Sequence, residues 1–337
     1  MRAARVSDGS PDRHVVRSLT SWVSAAVAAL GLFAMWSGPA SASQFFARDA
    51  SAVKLAVNGS GKTLLTYKIK GATRHLLVTG AVNARTPSRT TPQVKFNTTL
   101  LGPRGKDKKI WARFKNKCKP YDGPALAFVV VACKAPDGSY WAVQAWQNWF
   151  PLFGYQPWLP YQDDMAFHVS HWTGPLAQIE MWASWIDVGR GASAPHDVIA
   201  RMLYGGSPVF GYVVKPGGIP GDGYGRIVAI ESLDSLLGTG WWRVSAILAR
   251  NPSGMLCHAM IPQMTFSNYP NPHEVDPGPG RAYRAFAEGP GVTPLMMTQV
   301  QDPGNYDPND LAKVERQANT LSLLKAWGAP PACQKNH

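Results

Sequence analysis

The sequence predicts a mostly β fold: two packed antiparallel β modules, sandwich-like, with one amphipathic helix at the C-terminus. Short apolar, β-branched or aromatic runs recur along the chain between clusters of Gly, Pro, Asn and Asp, the pattern of strands joined by turns. Several runs alternate, as in Ile179-Glu180-Met181-Trp182 and Tyr283-Arg284-Ala285-Phe286, which suits strands with one buried face. With 32 Gly, 28 Pro and 16% charged residues against 45% hydrophobic ones, the chain has too many turn formers for a helical bundle and enough apolar mass for a packed core.

Residues 1–42 read as a cleavable signal peptide. Arg2, Arg5, Arg13 and Arg17 stand against Asp8 and Asp12, and residues 25–36 are free of charge, a run shorter than the roughly 20 residues a membrane span needs. Ser37-Gly38-Pro39-Ala40-Ser41-Ala42 then supplies the helix breaker and small-x-small ending that place cleavage after Ala42. The mature chain is expected to be secreted and extracellular, without a transmembrane span, and a monomer.

Residues 43–147 form the expected basic β module, with strand-like runs at 63–69, 76–82, 94–100, 126–133 and 140–146. Residues 43–135 carry 18 Lys/Arg against 3 Asp/Glu, whereas residues 136–337 carry 12 against 16. Such an asymmetry raises the local concentration of polyanions whatever the fold. The densest stretch holds Arg104, Lys106, Lys108, Lys109, Arg113, Lys115, Lys117 and Lys119, eight cations with Asp107 the lone acid among them. Read as an extended strand, it sets Arg113, Lys115 and Lys117 on one face with Trp111. That face is either a polyanion contact or a solvated edge guarded by its lysines.

The four cysteines, Cys118, Cys133, Cys257 and Cys333, all follow the leader, and no C-x-x-C occurs. An even number in an oxidising compartment reads as two disulfides, with three pairings open. Cys118 with Cys133 and Cys257 with Cys333 are favoured, the first because the two are close in sequence and the second because it pins a tail. The first requires an irregular loop: a simple hairpin turn at Pro120-Tyr121-Asp122-Gly123-Pro124 would place Cys118 opposite about residue 126.

Residues 148–164, with Trp149, Phe150, Pro151, Pro157, Trp158 and Pro160, are an aromatic, Pro-rich connection too apolar for a flexible linker. The second β module, residues 165–337, follows with runs at 179–185, 208–214, 226–230, 242–248, 255–261 and 283–287. Its last element is the helix. Asp307-Pro308-Asn309-Asp310 offers capping residues, Leu311, Val314, Ala318, Leu321 and Leu324 recur at three- and four-residue spacing, and Gly328 and Pro330 close the run.

No motif here reaches the level of a catalytic or cofactor signature. Gly59-Ser60-Gly61-Lys62-Thr63 resembles the end of a phosphate-binding loop, but Ala56 stands where that motif requires Gly, and Asn58-Gly59 is turn chemistry. His168 and His171 would meet at a metal only on a helix, whereas their sequence favours extended structure. No cofactor or metal site is expected. Glu180, Asp187, Asp222, Glu231 and Asp234 form the pool from which a glycoside-cleaving carboxyl pair would come; the G-x-S-x-G elbow of serine esterases is absent. Trp141, Trp146, Trp149, Trp158, Trp172, Trp182 and Trp185 crowd one stretch and read as aromatic core before binding platform.

Ser170-His171-Trp172-Thr173-Gly174-Pro175, Gly221-Asp222-Gly223-Tyr224-Gly225-Arg226, Asn251-Pro252-Ser253-Gly254 with Cys257, and Gly289-Pro290-Gly291-Val292-Thr293-Pro294 resemble a family of secreted actinobacterial proteins of unknown function. The resemblance covers roughly residues 110–300. It implies export and a cysteine in that setting, and no activity. The expected ligand contacts are Trp111, Arg113, Lys115, Lys117, His171, Trp172, Asp222, Tyr224 and Arg226. The expectation is a non-enzymatic extracellular or envelope-associated protein that binds anionic polymer or glycan and does not meet intracellular nucleic acid. Its rival is a secreted polysaccharide hydrolase working through a carboxylate pair.

Overall fold

The computed structural model describes residues 43–85, 93–147, 165–185, 197–209, 213–214, 220–221, 228–235, 238–247, 255–259 and 279–328. The first half holds β1 (Gln44–Arg48), β2 (Ser51–Val57), β3 (Thr63–Ile69), β4 (Ala72–Gly80), β5 (Phe96–Leu101), a helix α1 (Gly105–Ala112), β6 (Lys119–Pro120), β7 (Val129–Lys134), β8 (Tyr140–Gln147) and β9 (Met165–Trp172). The second holds β10 (Gln178–Ser184), β11 (Asp197–Tyr204), β12 (Ser207–Pro208), β13 (Val213–Val214), β14 (Pro220–Gly221), β15 (Val228–Ser235), β16 (Gly238–Ile247), β17 (Met255–Ala259), β18 (Ala282–Glu288), β19 (Leu295–Gln301) and helix α2 (Leu311–Ala326).

Four antiparallel sheets result, ordered β2-β3-β4-β5 (sheet I), β1-β9-β8-β7-β6 (sheet II), β16-β15-β18-β19 (sheet III) and β10-β11-β12 with β17 also on β11 (sheet IV); β13 and β14 make a separate ribbon. They stack in that order because each strand alternates its side chains between two partners. Leu55, Val57, Leu65 and Tyr67 of sheet I meet Trp141, Val143, Phe167 and Val169 of sheet II. The opposite face of sheet II sends Trp146 against Phe286 and Leu295 of sheet III. Ile230, Tyr283, Ala285 and Ala287 on the far side of sheet III pack against Met181, Val198, Ala200 and Met202 of sheet IV. Finally Trp182 and Ile199 on the outer side of sheet IV receive Leu324 and Trp327 of α2. Sheets II and III are thus covered on both faces, and Trp141, Trp172, Tyr283 and Phe286 are fully buried there; burial of the Phe286 ring alone stabilises by roughly 1.5–3 kcal/mol.

The mostly β, sandwich-like architecture with its C-terminal helix is as expected. α2 begins at Asp310, whose carboxylate accepts from the N–H groups of Ala312 and Lys313, and ends at Gly328, whose φ of 66° closes the helix in the left-handed region. Cys118 and Cys133 are bonded with Cα atoms 5.6 Å apart. The loop between them is irregular, as that pairing demands: Pro120 already faces Cys133 in the ladder, the Tyr121 hydroxyl donates to the Pro124 carbonyl, and Phe128 takes a φ of 52°. Gly59-Ser60-Gly61 is a turn in which the Asn58 side chain accepts from Ser60 N–H and Lys62 N–H.

Two features differ from the sequence reading. The connection at 148–164 falls between β8 and β9, which are hydrogen-bonded neighbours from Tyr140↔Trp172 to Gln147↔Met165, so the first sandwich runs on to Trp172. And the basic stretch is not an extended strand: residues 105–112 are helical.

The two halves interlock. Val292, in the loop between β18 and β19, lies in the core of the first sandwich, and its carbonyl accepts the His171 N–H at 2.8 Å. Gln144 of β8 clasps the Leu295 backbone, donating to its carbonyl at 3.0 Å and accepting from its N–H at 2.9 Å.

Candidate functional site: a basic ribbon on the first sandwich

The eight cations are carried by α1 and the strap that follows it, and a few inward contacts hold both in place. Asp107 and Trp111, one helical turn apart, grip the same residue. The Asp107 carboxylate accepts from Gly102 N–H at 2.8 Å and the Trp111 indole donates to the Gly102 carbonyl at 3.1 Å. The Trp111 ring then stacks on His75 of β4 with centroids 4.3 Å apart. Burial lowers the His75 pKa, and the Thr66 hydroxyl lies 3.0 Å from its Nδ1. Helical spacing therefore turns Trp111 inward and puts Lys106, Lys109, Ile110 and Arg113 on the outer face; the expected shared face of Trp111 with Arg113, Lys115 and Lys117 does not form.

Beyond Arg113 the strap runs along the free edge of β2. Lys117 N–H donates to the Val57 carbonyl at 2.6 Å, and the Asn116 side chain accepts from Val57 N–H at 3.1 Å and from Cys118 N–H at 3.0 Å. The disulfide to Cys133 and the pairing of Lys119 with Lys134 carry the chain onto sheet II. The path thus leads from the outer face of sheet I, round an edge, to sheet II. All eight cations are exposed, and among the described residues none has a carboxylate within ion-pair distance. Exposed Lys54 and Lys68 share the outer face of sheet I with Thr66 and His75.

Comparison with protein-family models, with curated proteins and with solved structures gives no match.

The other candidate residues lie elsewhere. His168 and His171 sit on opposite faces of β9 and do not converge on a metal. His168 stacks on Trp146 at 4.1 Å with Nδ1 3.0 Å from the Ser43 hydroxyl; burial depresses its pKa to about 3. His171 stacks on Trp141 at 3.8 Å. His171 and Trp172, expected at a ligand surface, are instead 5% and 0% exposed; β9 is an inner strand of a sheet covered on both sides. Trp141, Trp146 and Trp185 are buried too, and Trp182 packs edge-on against Trp327.

Of the carboxylate pool, each described member faces an arginine: Glu180 with Arg201 at 3.2 Å, Glu231 with Arg284 at 2.5 Å, and Asp234 with Arg281. Asp234 also accepts from Gly240 N–H at 2.6 Å, and that bond and the arginine lower its pKa. Among the described residues no group of His, Cys, Asp or Glu gathers as a metal-ligand set. Asp187, Asp222, Tyr224, Arg226, Trp149, Trp158 and Cys333 lie outside the described residues, as does the side chain of Cys257.

Sequence reasoning missed one polar cluster. The Ser139 hydroxyl sits 2.6 Å from Asp137 Oδ1 and 2.9 Å from His171 Nε2, while His171 Nδ1 lies 2.9 Å from the Ala81 carbonyl. The Pro136-Asp137-Gly138-Ser139 turn signal marks the first two residues; nothing local marks their meeting with His171.

Proposed function

We propose that this is an exported, non-enzymatic protein that binds linear polyanions outside the cytoplasm, at the cell envelope, through the basic ribbon of α1 and its strap. The observation that carries the reading is a run of eight exposed cations without carboxylate partners among the described residues. Leaving so many like charges close together costs stability, and an anionic polymer repays that cost by neutralising them while releasing its own counterions. The shape of the path favours a flexible chain. It bends round the β2 edge from sheet I to sheet II, whereas a flat charged surface meets one side of such a bend. Support for export comes from the leader-like residues 1–42 and from the disulfide-paired Cys118 and Cys133. The polysaccharide-hydrolase reading gains nothing from Glu180, Glu231 and Asp234, whose arginine partners hold them as structural ion pairs.

Retention on an immobilised polyphosphate or sulfated polysaccharide, measured across a salt series, tests the reading. Affinity should fall linearly with the logarithm of salt. Replacing Arg113, Lys115 and Lys117 with Gln should make that slope shallower by about 2–3 while leaving the fold intact. Equal retention of the triple variant and the parent at low salt would sink the proposal.

A further inference from the structure

The cluster at the end of β9 raises a question of proton count. A carbonyl oxygen only accepts, so the 2.9 Å contact to Ala81 requires the proton of His171 on Nδ1. With a neutral ring, Nε2 is then a bare acceptor and must take its hydrogen from Ser139 at 2.9 Å. But the Ser139 hydroxyl has one proton, and it also lies 2.6 Å from Asp137 Oδ1, the separation of a hydroxyl donating to a carboxylate. Three contacts share two protons. All three are made only when one more proton enters. It resides either on Nε2, giving an imidazolium that donates to Ser139, which in turn donates to Asp137, or on the Asp137 carboxyl, with the Ser139 hydroxyl reversed.

The two sites differ in access. Asp137 is exposed in its turn, whereas Ser139 and His171 are buried. We propose that Asp137, Ser139 and His171 form a proton relay that titrates a buried joint of the fold from the surface. A proton arriving from water at the Asp137 carboxylate passes to Ser139 Oγ as the original hydroxyl proton moves to His171 Nε2. The net change is one proton transferred from solvent to the imidazole, with Asp137 regenerated as its counterion.

The joint is the place where three parts of the fold meet. The His171 ring reaches Ala81 beyond β4 and Ser139 before β8, and its backbone N–H holds Val292 of the second half. Charging the ring strengthens both ring hydrogen bonds at once. The ring's other neighbours are the aromatic faces of Trp141 and Phe96, so among the described residues Asp137 is the charged group acting on it. The far side of Asp137 faces the turn between β2 and β3, where a side chain at Gly61 would begin 3.8 Å from Oδ2 and Lys62 is exposed. Burial pulls the His171 pKa down to about 4, opposed by the Ala81 carbonyl and the Asp137 charge. Burial pushes Asp137 upward, but its bonds from Ser139 and the charge of His171 outweigh that and its pKa is lowered. His168, three residues earlier, differs: the Ser43 hydroxyl lies at its Nδ1, and among the described residues no charged group acts on it.

The test is a ¹⁵N NMR titration of the purified chain labelled in histidine. His171 should hold its proton on Nδ1 at neutral pH and gain the Nε2 proton in acid. In Asp137→Asn and in Ser139→Ala the midpoint of that gain should drop by about one pH unit, a tenfold loss of proton affinity, with the double variant no lower than the singles and His168 unmoved. A neutral ring protonated on Nε2, or midpoints unchanged in Asp137→Asn, would overturn the relay. Asp137 lies on the surface, so its variant decides the matter even if Ser139→Ala fails to fold.

Discussion

The two halves of the molecule use arginine and lysine in opposite ways. In the first, cations crowd one exposed ribbon, and Lys134 with Asp122 is the ion pair found there among the described residues. In the second, Arg201, Arg281 and Arg284 each meet a carboxylate, and two of those pairs join residues opposite each other on adjacent strands: Glu180↔Arg201 and Glu231↔Arg284. The guanidinium of Arg284 is further enclosed by Trp241, with its ring centre 4.2 Å away, and by Phe286 at 5.0 Å. A pair hemmed by rings, as Arg284 and Glu231 are, serves the fold, because removing the arginine takes an opposite charge from a buried carboxylate. Exposed charges left without partners do little for the fold and remain free to meet something outside it.

The contrast can be broken at its strongest point first. Arg284→Ala leaves the 7% exposed Glu231 without its arginine and should cost about 3–5 kcal/mol, read as a lower midpoint in chemical denaturation, with retention on polyanion unchanged. Replacing Cys118 and Cys133 with Ser releases a crosslink spanning 15 residues and should cost about 3 kcal/mol in the chain-entropy model. Because that bond anchors the basic strap, polyanion retention should weaken with it, unlike the Arg284 variant.

Acid sharpens the comparison from within the first half, whose core histidines are kept neutral. An unfolded histidine takes up its proton near pH 6.5, while His168 waits until about 3 and His171 until about 4. Below 6.5 the unfolded state therefore binds more protons. Stability should be flat above that pH and fall as pH drops toward 4, by up to about 1.4 kcal/mol per pH unit for each histidine. Denaturation of His168→Asn, which cannot titrate, should show a shallower fall over the same range. The smallest effect belongs to the ribbon: Arg113, Lys115 and Lys117 together to Gln should shift stability by less than about 0.5 kcal/mol, and a cost of several kcal/mol would mean that these side chains do hold the fold.

What was legible in the sequence was whatever is encoded locally. β3, β10 and β18 show as short apolar runs between turn formers, although β18 is covered on both faces rather than one; α2 carries its cap at Asp310 and its stop at Gly328, and the need for an irregular loop between Cys118 and Cys133 follows from spacing alone. α1 escaped because a single turn-to-turn pair, Asp107 with Trp111, does its inward work; with lysines at three of its eight positions no apolar stripe announces a helix. That i, i+4 pair was the available signal. β9 reads as extended, but its place between β1 and β8 depends on pairings across long stretches of chain. The same limit hid the meeting of Asp137, Ser139 and His171, and it placed at a ligand surface two residues that the fold buries: His171 between sheets I and II against Trp141 and Phe96, and Trp172 on the opposite face beside Leu176 and Met296.

The loop that carries Val292 into the first sandwich bears on the order of assembly. Gln144 and the backbone it clasps at Leu295 are 151 residues apart, and closing so long a loop is slow and comes late. A chain emerging from its N-terminus therefore has all of β1 to β9 in hand yet cannot seat Val292, the part of their core that the second half supplies, until nearly the whole polypeptide has followed. In that interval the first sandwich lacks its plug, and the N–H of His171 still awaits the Val292 carbonyl. Completion of the first sandwich is in this way tied to synthesis of the second.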